Sequence, residues 1–296
     1  SSGTQTAAIT SGGYTGPPPL SSKNTSESYN GSGWSANANI NTARGECGGA
    51  GPQTAALITG GDIPSAHAVT EEFDGSTWSE TGDLNNARYG LGVAGEGSQT
   101  ASLAFGGYPT PLLAATEEFN GTGWSNEESL STPGSGMYGS GAGTQTAGLA
   151  FGRTPNGNSG ATEEYNGEAW TGGGTMNTAR DNAAGGGPQT AAFCAGGGNP
   201  SATDVTETYD GTSWTTSPAT LSTATTGFSG AGNSTTAISM GSAPTPTATG
   251  RTEEFNRSIN VITAGAWAAG GNLNTARSQN AGFGSSVDAS MSAGGY

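Results

Sequence analysis

Residues 99–107 read Gln-Thr-Ala-Ser-Leu-Ala-Phe-Gly-Gly, and after a connection from Tyr108 to Ala114 residues 115–124 read Ala-Thr-Glu-Glu-Phe-Asn-Gly-Thr-Gly-Trp. The first run is a short apolar segment stopped by a diglycine, the pattern of a strand ending in a turn. In the second, Thr116, Glu118 and Asn120 share one face of an extended chain while Glu117 and Phe119 share the other. Asn120-Gly121 has the freedom in φ that a tight hairpin turn requires, and Trp124 opens a further strand. Upstream, Asn86-Ala87-Arg88 leads into a glycine-rich stretch, Tyr89 to Gly97, whose alternating small residues suit a strand in a confined place. The unit therefore reads as four short strands, a to d, in about 46 residues.

The same unit recurs along the whole chain. Its tryptophans are Trp34, Trp78, Trp124, Trp170, Trp214 and Trp267, spaced 44 to 53 residues apart. A fixed period of this length signals a repeat architecture in which each unit buries its apolar face against its neighbours. Four strands in a meander of this size make one blade of a β-propeller. Helical repeats are excluded, because no segment keeps apolar residues at 3.6 spacing and glycine is everywhere. A parallel β-helix prefers shorter coils.

The expected fold is all-β: one domain over residues 1–296, a six-bladed propeller of four-stranded antiparallel blades. Gly12-Gly13-Tyr14 and Gly294-Gly295-Tyr296 are offset by 282 residues, six periods averaging 47. The N-terminus is then expected to supply strands b, c and d of a blade whose strand a comes from Arg277 to Gly284, so that strands from both ends close the ring. Val287 to Gly295 is a further copy of strand b that competes with Thr4 to Ser11. Seven blades, or a piece of a longer array, is the alternative. The opening Ser1-Ser2-Gly3, without methionine, fits a processed chain or such a piece.

Diglycines follow strand b at Gly12-Gly13, Gly60-Gly61, Gly106-Gly107 and Gly196-Gly197. Strand c carries Tyr29, Phe73, Phe119, Tyr165, Tyr209 and Phe255, and Arg44, Arg88, Arg180 and Arg277 lead into strand a. Together with the spaced tryptophans these features resemble the kelch repeat. The phrasing Gln-Thr-Ala, Gly-Gly, Thr-Glu-Glu-Phe-Asn-Gly, Trp, Leu-Asn-Thr-Ala-Arg is similar to kelch-like arrays in predicted structural proteins of bacterial viruses. The resemblance covers the whole chain. Departures are present: Gly152-Arg153 and Gly241-Ser242 break the diglycine, Gly134 and Thr225 replace the arginine, and seven residues are inserted between Asn256 and Trp267.

Composition narrows the partners. Glycine and proline together make about 23% of the chain and charged residues 10%, close to low-complexity composition. The phased aromatics argue for a folded chain instead. A net charge of −15 makes nucleic acid and anionic membrane surfaces unfavourable partners. No stretch approaches the length of an apolar membrane span, and none reads as a signal peptide. Cys47 and Cys194 fall at different phases of the repeat, which favours two buried thiols over a disulfide, so cysteine usage does not reveal the compartment.

Few residues could carry chemistry. His67 is the only histidine, which excludes zinc or copper sites needing several, and no metal or other cofactor is expected. The paired carboxylates Glu71-Glu72, Glu117-Glu118, Glu163-Glu164 and Glu253-Glu254 could suggest a glycosidase. Adjacent strand residues face opposite ways, however, so a pair cannot act as acid and base in one cleft, and solvated or blade-bridging acids are the favoured reading. Asp74-Gly75-Ser76-Thr77-Trp78 resembles the Asp-box of sialidases but lacks the residue between Asp and Gly. Arg44, Arg88, Arg180 and Arg277 could form a partial cationic ring near the axis, or pair with strand carboxylates.

The connections from b to c vary most, and variable loops on a constant frame are where scaffolds carry recognition. They share one face with the connections from d to a. Candidate ligand-binding residues there are Tyr14, Asp62, His67, Tyr108, Arg153 and Arg251. The insertion Arg257 to Gly265, with Ile259, Val261 and Ile262, projects from the opposite face as an assembly contact with other virion or appendage proteins. The expected function is a non-enzymatic structural or adhesion module, a phage tail fibre or decoration protein or another extracellular appendage component, binding a host-surface glycan or a partner protein. A secreted carbohydrate-active enzyme is the alternative.

Overall fold

The computed structural model describes residues 2–15, 21–62, 65–109, 111–137, 141–154, 160–198, 200–242, 249–257 and 266–269. They form six four-stranded antiparallel sheets, each ordered a-b-c-d, arranged as a β-propeller without helices among the described residues. Blade 1 comprises Ser2–Thr4, Ala7–Ser11, Ser26–Tyr29 and Trp34–Ala36, with a small hairpin of Tyr14–Thr15 and Ser21–Ser22 in its b–c connection. Blade 2 comprises Gly48–Ala50, Leu57–Thr59, Thr70–Phe73 and Trp78–Glu80, and blade 3 Gly92–Val93, Ser102–Phe105, Thr116–Phe119 and Trp124–Glu127. Blade 4 is Gly141–Thr144, Ala147–Ala150, Glu163–Tyr165 and Trp170–Gly172; blade 5 is Ala184–Gly186, Phe193–Ala195, Thr206–Tyr209 and Trp214–Thr216. Blade 6 is Ser229–Gly232, Thr236–Ser242, Thr249–Asn256 and Ala266–Ala269.

Closure differs from the expectation in one respect. Strand a of blade 1 is Ser2–Thr4, paired with Ala7–Ser11 through Gly3↔Ala8, and not the segment Arg277 to Gly284. A hairpin with two residues in its turn costs far less loop-closure entropy than recruiting a segment from the far end of the chain. Each blade is therefore one unbroken stretch of sequence. The expected closing segment Arg277 to Gly284, the copy Val287 to Gly295 and, apart from Arg257 itself, the insertion Arg257 to Gly265 lie outside the described residues.

Strand a lies innermost. Successive a strands touch all the way round, including that of blade 1 against that of blade 6. Where sheets converge, little room is left, which is why these strands are built of Gly, Ala and Ser apart from Thr4, Val93 and Thr144, and all but Thr4 and Thr144 are buried.

Farther out, two side chains stitch blades 1, 3, 4 and 5 to their predecessors, and blade 2 keeps the first of them. The Gln of each Gln-Thr segment reaches back to carbonyls at the start of strand b and the end of strand c of the previous blade. Gln53 donates to Ala8 O and Tyr29 O at 2.9 and 2.7 Å, and Gln189 to Gly148 O and Tyr165 O at 2.9 Å each. Gln99 does the same for blade 2, and Gln145 reaches Phe119 O of blade 3 at 2.8 Å. Gln5 closes the circle on Ala237 O and Phe255 O of blade 6.

The tryptophan of strand d makes the second stitch. Trp124, Trp170 and Trp214 each lie about 5 Å from the aromatic ring of their own strand c and donate Nε1–H to Thr70, Thr116 and Thr162 of the preceding blade, at 2.9 to 3.0 Å. Trp34 reaches Thr252 of blade 6 at 3.0 Å. Trp78 has no such acceptor: the equivalent position is Ser26, whose hydroxyl is bonded to Ser11.

The c–d turns are held by a side-chain oxygen. Asn30, Asp74, Asn120, Asn166 and Asp210 each accept from the backbone N–H groups two and three residues on, at 2.7 to 3.0 Å. Only the following glycine takes positive φ, near +90° in all five turns. Replacing Trp124 by alanine removes an indole from between blades 2 and 3 together with its hydrogen bond to the Thr70 hydroxyl, which keeps Thr59 as a partner. The expected cost is about 3–5 kcal/mol, read as a fall in Tm of about 10 °C. Unchanged melting would remove Trp124 from the core.

Candidate functional site

The repeated carboxylates come first, because they are the obvious chemistry. The first acid of each pair is buried. Glu117 accepts from the backbone N–H of Asn85 and Asn86, at 2.6 and 3.2 Å, and forms an ion pair with Arg88 with both side chains fully buried. Glu71 receives Asn41 and Thr42 N–H groups and lies 3.2 Å from Arg44; Glu207 receives Asn177 and Thr178 and lies 3.1 Å from Arg180. Each buried acid thus ties down the d–a connection that enters its own blade.

Arg44, Arg88 and Arg180 therefore do not present an open cationic ring. Burial draws the Arg88 guanidinium downward and Glu117 opposes it, while Arg88 Nη1 is also bonded to Gly106 O and Ala115 O. Arg153, expected in a loop, is buried as well and pairs with Glu163. It supplies from the broken diglycine the guanidinium that Gly134 cannot, and its aliphatic stem fills the space beside Gly134. Arg251 plays the same part for Glu253 at 2.7 Å, and also bonds Thr223 O. It is about one-quarter exposed, with 27% of its side chain accessible.

The second acid bridges blades. Glu118, Glu164 and Glu254 accept the phenol protons of Tyr165, Tyr209 and Tyr29 in the next blade, at 3.1 Å for the first and 2.6 Å for the last. Where the next blade has Phe, the acid is mostly absent: Ser28 faces the position of Phe73, and Thr208 that of Phe255. Glu72 is the exception, and its buried Oε1 has no partner. Burial and the neighbouring Glu164 push the Tyr209 phenol up to about 12.

The b–c face holds what the frame does not use. Around its centre five residues, two beyond each arginine position, are in the left-handed region: Glu46, Gly90, Gly136, Asn182 and Gly227. They form a hydrogen-bonded collar from blade to blade, through Gly90 N to Glu46 O at 2.9 Å, Met137 N to Gly90 O at 3.2 Å, Asn182 N to Gly136 O at 3.0 Å and Gly227 N to Asn182 O at 2.9 Å. Glycine is the relaxed choice there, yet Glu46 and Asn182 keep side chains at φ 52°.

Beside the collar lie the aromatic candidates. Tyr108 stacks on Tyr89, centroids 5.1 Å apart and planes inclined 21°, across a bridge between their backbones. Tyr14 is buried and donates its phenol proton to Asp62. Asp62 and Asp181, both half-buried, have carboxyls raised by burial, that of Asp62 partly offset by its backbone hydrogen bond and by His67. His67 is half-buried, and its backbone joins Gly61 O to Arg88 N. The structure so gathers Tyr14, Asp62, His67 and Tyr108 on one face and removes Arg153 from it. Tyr89 and Glu46 were missed by reading the chain as strand a; the visible signal was Tyr89 as the one aromatic residue directly after a frame arginine.

Cys47 and Cys194 are both buried and not joined in a disulfide, and burial pushes the Cys194 thiol up. Among the described residues no three His, Cys, Asp or Glu side chains gather as metal ligands would. The sequence matches no protein-family model and no curated protein.

Two outcomes follow from the buried acids and phenols. Glu117→Gln, which leaves the Arg88 charge unpaired, is expected to destabilise by about 3–5 kcal/mol, whereas pairing it with Arg88→Met recovers much of the loss in chemical denaturation. In alkali, between the ordinary phenol value near 10 and about 12 for Tyr209, the unfolded chain gives up a proton that the native chain keeps. Stability therefore falls as pH rises through that window, and Tyr209→Phe should flatten the Tm-versus-pH curve there.

Proposed function

We propose that this propeller is a non-enzymatic structural or adhesion module, a kelch-like component of a phage virion (tail fibre or decoration) or of another extracellular appendage, that binds a host-surface glycan or a partner protein through its b–c face. One observation carries the reading. The buried acid of every described blade pair is consumed by the frame, whereas the side chains that break the repeat, Glu46, Asp62, Tyr89, Tyr108 and Asn182, gather around one end of the axis. A general acid needs a carboxyl free to exchange its proton with substrate, and Glu71, Glu117 and Glu207 are fully buried and multiply bonded.

Stacked tyrosines beside half-buried carboxyls make the kind of flat, hydrogen-bonding platform on which a sugar ring or a partner's loop can lie. The kelch and virion readings draw their support from the diglycine, aromatic, tryptophan and arginine phrasing of the repeat. The acidic surface, net −15, supports an uncharged or basic partner over nucleic acid.

Glycan-array binding by the whole chain is expected to fall at least tenfold in a Tyr89→Ala/Tyr108→Ala variant that keeps the parent Tm, with no reducing sugar released from any bound glycan. Turnover abolished by a single carboxylate change would overturn the non-enzymatic reading.

A further inference from the structure

Blade 6 departs from the repeat at two places that meet in space. Its a–b turn reads Asn233-Ser234-Thr235, so Ser234 stands where Gln5, Gln53, Gln99, Gln145 and Gln189 clamp the preceding blade. Its c–d turn reads Asn256-Arg257, so Arg257 stands where Gly31, Gly75, Gly121, Gly167 and Gly211 form the other turns. Blade 5 adds a third departure on the facing side, Thr208 in place of the blade-bridging acid.

The result is a cleft of about 240 Å³ between blades 5 and 6, on the side opposite the b–c face. Thr190, Thr208, Thr215 and Ser234 line it with hydroxyls, and Asp210 and Arg257 stand at its mouth with opposite charges. In the clamped interfaces, carbonyls at the start of strand b and the end of strand c of the earlier blade receive the Gln amide. Here the corresponding carbonyls are that of Tyr209, which lines the cleft, and that of Ala192 behind it, which accepts from Tyr209 N at 2.8 Å as Ala56 O does from Phe73 N in a clamped blade; Ser234 is too short to reach across as the Gln does. Among the described residues no side chain takes the clamp's place. Ser234 instead keeps its backbone N–H on Ala191 O at 2.9 Å.

We infer that this cleft is a binding subsite for a single uncharged sugar unit. Two backbone acceptors that take adjacent N–H donors elsewhere in the ring call for a ligand with two neighbouring donors, which a vicinal diol supplies. The same hydroxyls can accept from Arg257 and from the threonines, so a polyol satisfies both kinds of group at once. An anion meets Asp210, whose carboxyl is held below its ordinary value by the turn N–H groups of Ser213 and Thr212 and so stays charged. A bare amide would leave Arg257 and the hydroxyl lining unanswered. The volume accommodates one pyranose ring. The subsite shares the glycan element of the proposed function but does not depend on the b–c face.

Ser234→Gln tests this, because it restores the clamp found in the rest of the ring. Saturation-transfer NMR with millimolar glucose, galactose, mannose, N-acetylglucosamine and acetamide is run on the full chain, on Ser234→Gln, on Arg257→Gly and on Tyr89→Ala/Tyr108→Ala. The expected result is transfer to at least one sugar that is lost in Ser234→Gln, together with a higher Tm for that variant, weakened in Arg257→Gly, and kept in the double tyrosine variant. Transfer that survives Ser234→Gln but disappears with the two tyrosines would overturn the subsite and leave the loop-face reading intact. Transfer to acetamide alone, or to none of the probes, would overturn it as well.

Discussion

A buried carboxylate on strand c is the anchor of blades 2 to 6. It is held from two directions: backbone N–H groups of the connection that enters the blade, and a guanidinium beneath them. Leaving such a charge unpaired costs several kcal/mol, so the position of the guanidinium is constrained far more tightly than the residue that provides it. That is why the charge arrives from three different points of the chain, from before strand a in Arg44, Arg88 and Arg180, from the diglycine site in Arg153, and from strand c itself in Arg251. The d–a connections, which carry no regular structure, are ordered by this anchor, and the collar at the end of the axis is hung from them.

Between wedges the cohesion is divided between apolar area and a few directed bonds. The tryptophan fills the gap that widens with radius, and its single polar atom is answered by a threonine across the interface. The glutamine answers backbone acceptors nearer the turn side. The phenol and the second acid form a third link that exists only where the next blade carries tyrosine. Interfaces therefore differ in strength: the one between blades 1 and 2 lacks the indole bond, and the one between blades 5 and 6 lacks the amide clamp.

Much of this was legible in the chain. Strands b, c and d were delimited by the diglycine, the Asn-Gly or Asp-Gly turn and the tryptophan, each a residue type whose physics forces the feature. Strand a was less legible, because Gly and Ala have no periodic signature, and the two-residue hairpin that makes Ser2–Thr4 an innermost strand left no trace in composition. The roles of the arginines were not decided by spacing, since exposure and burial look alike in sequence when the buried partner is itself one of two adjacent acids. Arg153 shows the limit most clearly: it reads as a break in the diglycine, and only the space left by Gly134 explains it. The repeated Gln-Thr was visible as a phrase, but its reach into the neighbouring blade is a tertiary fact.

Because each described blade is one unbroken run of chain, with no strand shared across the seam, the seam between blades 1 and 6 is held by the same Gln and Trp contacts as the junctions from blade 2 to blade 5. Unequal recombination within the gene could then delete or duplicate a whole wedge without orphaning a strand. A lineage carrying such an array can change the number of its modules, and reshuffle the loops they display, in single genetic events.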